Sequence, residues 1–268
     1  MTTIVNDNNN NNEKEREKMN NDVDEQQILL RIELLIVNTG DLFKDTKIIY
    51  ETLLNNCNHT NCSRATAGVG IEYILNKDLI TSYNIEITNK NRKRQAQKAT
   101  TEEEENHHNH HAKKSKNDNI YQTMLPVTTT SCPAPVYFDA VFAWVKQSIN
   151  SMEKQRTNPF SNFATNNFFN SFLETLKKIY RRLFRVYAHM YLQHFQEIRA
   201  LDAEAHLNSM FKRFVFFALA HDLLNRTETL PLDNLIKAFV RKEGTRQQQQ
   251  PGNDNNNDIY DLNDRFKY

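Results

Sequence analysis

Two residue pairs, Cys57–x4–Cys62 and His189–x4–His194, hold most of the reactive chemistry in this sequence. Together they offer two thiolates and two imidazoles, the ligand set that a tetrahedral zinc ion prefers. An ion shared between them would staple the front of the fold to its centre. Neither pair is decisive alone. An isolated cysteine pair is ordinarily buried or incidental. The histidines lie in Arg185-Val-Tyr-Ala-His-Met-Tyr-Leu-Gln-His-Phe195, an apolar and aromatic run where packed imidazoles are the ordinary reading. Positions i and i+5 also stand about 140° apart on an ideal helix. Both rings therefore meet one ion only if their side chains curl around the helix or the helix is locally distorted. A competing cluster, His107-His108-Asn109-His110-His111, sits in a polar tract where only loose metal binding is expected.

The elements that must position these groups are helical. Apolar residues between Glu25 and Asn55 predict two helices, broken around Asn38-Thr39-Gly40-Asp41, with Thr39 or Asp41 capping the second. The Cys57–Cys62 loop follows, and then two segments, 71–75 and 80–87, expected to pair as strands. Val136 to Met152 fits a helix with Phe138, Val141, Phe142 and Val145 on one face and Trp144 beside it. Phe168 to Ile198 and Ala203 to Leu224 read as two more. A last helix opens at Leu230-Pro231, where the missing proline N–H costs little. These apolar faces are most simply the walls of a helix bundle.

Three segments lack the apolar residues needed to offset ordering entropy: an Asn/Glu/Lys-rich tail over 1–24, a low-complexity insertion over 88–119, and a Gln/Asn-rich tail over 244–268. A domain over 25–243, interrupted by that insertion, remains. A formal net charge of +1 supplies no global pull toward nucleic acid or anionic membrane. Three cysteines make no disulfide framework, and no signal peptide or long apolar run is evident, so an intracellular, soluble protein is expected. The chain has five glycines, no His-Glu-x-x-His motif, no Gly-rich phosphate loop and no nucleophile elbow, which argues against an enzyme.

Several separated motifs occur in one order: Val37-Asn38-Thr39-x-Asp41-x-Phe43, the cysteine pair followed by Ala67-Gly68 and Glu72-Tyr73, and Ala134-Pro135-x-Tyr137. Arg181-Arg182-Leu-Phe-Arg185-Val-Tyr-Ala-His189 and Glu204-Ala205-His206-Leu207-Asn208 continue the series. In these residues the chain resembles the Mob (Mps-one-binder) kinase-activator family, in its core Mob group. The resemblance implies a mainly α fold, a helix bundle with a short β-hairpin and one structural zinc held by Cys57, Cys62, His189 and His194. Cys132 resembles a family cysteine that is not a ligand.

The function implied is that of a non-catalytic adaptor and co-activator in cell-cycle, mitotic-exit or Hippo-like signalling, in cytoplasm and nucleus. Arg181, Arg182 and Arg185 would dock phosphothreonine segments of upstream Ste20-like kinases or scaffolds, because a planar guanidinium holds phosphate with paired hydrogen bonds. A solvated basic face is the plainer reading of the same spacing. A nucleic-acid role is disfavoured, since the bundle should bury Leu183, Phe184 and Tyr187. Glu33, Leu34, Val37, Asp41 and Ile48 would bind the basic N-terminal segment of an NDR/LATS-type kinase. Leu34 replaces the tryptophan common in the family and Leu29 an acidic residue. These departures leave open a Mob-like phosphopeptide scaffold that has lost kinase activation.

Overall fold

A computed structural model describes the backbone over residues 4–68, 70–104, 131–156 and 166–247, and side chains over 26–68, 70–94, 131–156 and 168–241. The histidine run at 107–111 and the tail from 248 onward lie outside these residues. Helices run over α1 Ile4–Glu51, α2 Lys77–Glu104, α3 Ala134–Arg156, α4 Asn166–Gln193, α5 Phe195–Ala200, α6 Glu204–Ala220, α7 Arg226–Thr229 and α8 Asp233–Gln247. A 3₁₀ turn over Leu230–Leu232, with Pro231 in its first turn, joins the last two.

The spine of the bundle is α1 against α4. Thr39 pairs its hydroxyl with that of Tyr180 at 3.2 Å, and Thr46 pairs its hydroxyl with that of Tyr187 at 3.3 Å. Both contacts advance by seven residues on each helix, so the two helices run side by side in the same direction with matched heptads. Each threonine also donates to the carbonyl one turn back, Leu35 or Leu42. These buried hydroxyls explain why the expected break at Asn38–Asp41 is absent. Thr39 is fully buried and helical, and Asp41 pairs with Lys44 instead of capping a new helix. The backbone of residues 4–24 continues into the same helix.

Helix α6 closes the other side of α4. Phe211 and Phe214 are fully buried, and Phe211 meets Phe184, Tyr187 and Tyr191 at ring separations of 5.1 to 6.1 Å. Fully burying such side chains contributes about 1.5–3 kcal/mol each.

The expected pairing of 71–75 with 80–87 is corrected. Residues 71–73 instead pair with 65–67 in a minimal antiparallel contact, Tyr73 N–H donating to Ala65 O at 2.7 Å and Ala67 N–H to Ile71 O at 3.0 Å. The tight turn between them needs positive φ at Gly68 and Gly70, 80° and 84°. Residues 80–87 are helical. Asn76 caps α2 by accepting from Leu79 N–H at 3.1 Å. Leu79, Ile80, Tyr83 and Ile87 form one buried face. Tertiary burial of that face overrides the strand preference of its isoleucines. The helix continues to Glu104, into the insertion over 88–119.

Candidate functional site

The loop after α1 carries both cysteines. Cys57 N–H donates to Leu53 O at 2.7 Å as the helix unwinds, and Ala134 N–H donates to Cys62 O at 2.9 Å, which ties the loop to the start of α3. The histidines come from the other side of the core. His189 lies within α4, whereas His194 sits between α4 and α5 with φ −129° and ψ 15°. The helix is interrupted at that one residue, and this removes the angular conflict of i, i+5 spacing. The two rings meet edge to face at a 5.0 Å centroid separation.

Cys57 Sγ lies 3.5 Å from His189 Nε2, and Cys62 Sγ lies 3.2 Å from His194 Nε2. One ligand atom from each of the four buried residues falls within 4.8 Å of all the others. An ion with about 2.3 Å to sulfur and 2.0–2.1 Å to nitrogen places tetrahedral S and N ligands about 3.5 Å apart. The donor set therefore fits a metal ion. All four positions are filled by protein, so the site offers no open coordination position for substrate.

The surroundings support the same use. His189 Nδ1 lies 2.7 Å from Thr66 O, which holds the proton there and leaves Nε2 facing the cysteines. Tyr50 donates to Cys57 Sγ at 3.5 Å. Burial pushes the Cys57 thiol up to about 12 and the His189 imidazole down to about 4. Burial also raises the Cys62 thiol and lowers the His194 imidazole. Without an ion all four groups are neutral near pH 7, and an ion must displace the thiol protons. Cys132 is buried nearby but is not one of the four.

His194 Nδ1 is buried and has no hydrogen-bond partner among the described residues. The nearest carboxylate oxygen is Glu197 Oε1, at 3.7 Å. Removing an outer-sphere partner of a ligating imidazole typically costs 10–100-fold in metal affinity. Glu197→Ala is therefore expected to weaken metal binding by about tenfold in competition with a chromophoric chelator. An unchanged affinity would show that the carboxylate does not orient the ring.

The arginine cluster is less uniform than its spacing suggests. Arg185 turns toward Tyr137 and Arg182 packs over Trp144, whereas Arg181 is paired with Glu228. Arg185 Nη1 donates to the Tyr137 hydroxyl at 2.6 Å and its guanidinium lies 5.0 Å from the Tyr73 ring centre. Arg182 is 6% exposed, lies 3.8 Å over the Trp144 ring, and has Asp78 at 3.9 Å. Its Nη1 is buried without a partner among the described residues. Burial lowers this guanidinium to about 10. A buried charge with an unmet donor is costly and favours an anionic partner.

The five α1 positions divide cleanly from the core. Leu34, Val37 and Ile48 are 48%, 56% and 56% exposed, and Glu33 is exposed beside them. Asp41 is partly covered and lies 3.1 Å from Lys44. Leu30, 68% exposed, extends the stripe by one turn. It was not singled out from the sequence, although i, i+4, i+7 counting from Leu30 through Leu34 and Val37 would have found it. Among the described residues no helix is long and apolar enough to cross a membrane.

Comparison with known proteins gives a family-model match, Mob1/phocein family, over residues 95–232. The chain is 28% identical over 208 residues to MOB kinase activator-like 1B of Arabidopsis thaliana, covering 78% of this chain and 74% of that one. It is 38% identical over 111 residues to MOB kinase activator-like 1 homolog C of Dictyostelium discoideum, 41% of this chain and 49% of the relative.

Proposed function

The chain belongs to the Mob1/phocein family, and on that premise we propose that it is a non-catalytic adaptor that co-activates an NDR/LATS-type kinase. The observation that carries this reading is the outward apolar stripe of α1, Leu34, Val37 and Ile48, flanked by Glu33 and Asp41. A helix already buried on one face has no packing use for a second apolar face. A basic amphipathic segment would cover the apolar residues and pair with the two carboxylates, the helix-in-groove mode. Zinc is the ion assigned to the four-ligand site, where two sulfurs and two nitrogens in a closed set suit a structural role. Cytoplasmic and nuclear placement, in mitotic-exit or Hippo-like signalling, belongs to the same proposal.

Arg182 and Arg185 form the second surface, a pair of guanidiniums for a phosphothreonine of an upstream Ste20-like kinase or a scaffold. The unmet Arg182 donor supports that assignment. Arg182 also packs on Trp144, so its removal would disturb the fold, and Arg185 is the cleaner probe. Arg185→Gln is expected to weaken a phosphothreonine peptide by about 10- to 100-fold, from the loss of charge-assisted bonds of about 1.5–3 kcal/mol. Fluorescence anisotropy with phosphorylated and unphosphorylated peptides, beside a thermal melt, measures this. Equal affinity of the wild-type chain for both peptides would refute the phosphate site.

One observation favours a second reading. Leu29 and Leu34 are exposed where the family places an acidic residue and an aromatic one. A chain altered in this way could keep metal and phosphopeptide binding as a scaffold without stimulating a kinase. Copurification of an NDR-class kinase with the full chain, lost on disrupting the stripe, separates the adaptor from this scaffold.

A further inference from the structure

Helices α1, α2 and α3 enclose a crevice of about 570 Å³ that neither surface above uses. Phe43, Tyr83, Ile87 and Phe142 give it an apolar lining. Five cations surround that lining: Lys44 and Lys47 from α1, Lys90 and Arg94 from α2, and Lys146 from α3. Two carboxylates, Glu86 and Asp139, share the lining, and Asp41 and Glu51 stand beside Lys44 and Lys47 at its edge.

Lys44, Lys47 and Lys146 have carboxylate neighbours at 3.1, 3.2 and 3.7 Å. Such solvent-exposed pairs are held by about 0–1 kcal/mol and open readily for a competing anion. Lys90 and Arg94 are exposed, stand one turn apart on the same face of α2, and join none of the ion pairs among the described residues. Asp139 is exposed to the crevice, and partial desolvation there raises its carboxyl above the usual range against the pull of Lys90 and Lys47. Lys90 and Arg94 lie within the insertion at 88–119, so this part of the chain builds one wall.

We propose that the crevice is a docking site for an acidic peptide segment of a partner protein, one that carries apolar side chains between its carboxylates. Three features select that chemistry. Lys90 and Arg94, which join no ion pair among the described residues, favour negative charge. The aromatic and aliphatic lining takes a leucine or phenylalanine side chain, which a polyphosphate or nucleic-acid backbone does not supply. Glu86 and Asp139 repel closely spaced phosphates, whereas a peptide can offer backbone N–H donors to Asp139. The surface is opposite in sign to the basic segment proposed for α1, so it recruits a different part of a partner. The inference stands whether or not α1 takes a kinase.

The test is fluorescence anisotropy of a fluorescein-labelled Glu/Leu/Phe peptide titrated with the full chain and with a Lys90→Glu, Arg94→Glu double variant. Controls are the same peptide with lysine in place of glutamate, one with serine in place of leucine and phenylalanine, and inositol hexakisphosphate as competitor. The Glu/Leu/Phe peptide should bind the wild-type chain and lose at least about tenfold in the double variant, as expected when attractive charges are reversed. The melting temperature should hold, because both substituted side chains are exposed. No binding of this peptide, equal binding of the serine peptide, or unchanged affinity in the double variant would overturn the proposal. Displacement by inositol hexakisphosphate at lower concentration than unlabelled peptide would instead mark a phosphate site and overturn it too.

Discussion

Cys57→Ser and His194→Ala are each expected to cost the chain its bound ion and most of its thermal stability. Structural zinc contributes about 10–16 kcal/mol in small zinc domains, and whole domains are stable by only about 5–15 kcal/mol. The ion here would join the loop after α1, itself tied to α3 by the Ala134–Cys62 backbone bond, to the α4–α5 junction. Its loss strands three buried polar ligands, and a serine hydroxyl does not replace a thiolate. A thermal melt with metal analysis checks this. Cys132→Ser, at a buried thiol outside the cluster, should keep one ion per chain. Wild-type melting and full metal content in either ligand variant would disprove the site.

Acid should act in the same direction. The His189 imidazole is lowered from 6.5 to about 4 in the folded chain, so the unfolded chain binds the extra proton between those values. That stability is fully present above about pH 6.5 and is lost as the pH falls toward 4. Protons also compete with the ion for both thiolates, which deepens the loss.

Val37→Glu combined with Ile48→Glu is expected to abolish kinase binding while leaving the fold untouched. Both side chains are 56% exposed, so neither supports the core, and α1 keeps its buried face through Ile32, Leu35, Thr39, Leu42, Thr46 and Ile49. Covering one such side chain with a partner is worth about 1.5–3 kcal/mol. Losing two, and burying two charges in their place, should exceed about 4 kcal/mol, roughly a thousandfold in affinity. Interferometry with an NDR-class kinase reads the affinity, and circular dichroism reads the fold. Retained binding would show that the stripe is not the contact.

Much of the site was legible in the residues themselves. Two thiols and two imidazoles suggested a zinc-type ligand set, though their spacing left it open and the Mob resemblance was what joined the two pairs, while the apolar period of α3 and α4 placed the histidines in a bundle. The interruption at His194, whose ring meets Cys62, carried no glycine or proline to mark it. Gly40 and Asp41 looked like a helix break, yet the hydroxyls of Thr39 and Thr46, pairing with tyrosines far along the chain, favour one helix. Ile80, Ile85 and Ile87 suggested a strand, while the capping Asn76 just before them was the better local signal. Arg182 could not be distinguished from Arg181 by spacing. Only the Trp144 ring, delivered by α3, shows which guanidinium is buried. The crevice was equally hidden, since its cations come from three helices that only the fold brings together.

The most direct measurement is the catalytic rate of a purified NDR-class kinase titrated with the metal-loaded chain, beside the Val37→Glu, Ile48→Glu variant. A rate that rises and saturates with the wild-type chain, and does not respond to the variant, is the expected result. A kinase that stays at its basal rate with a folded, metal-loaded wild-type chain would contradict a co-activator.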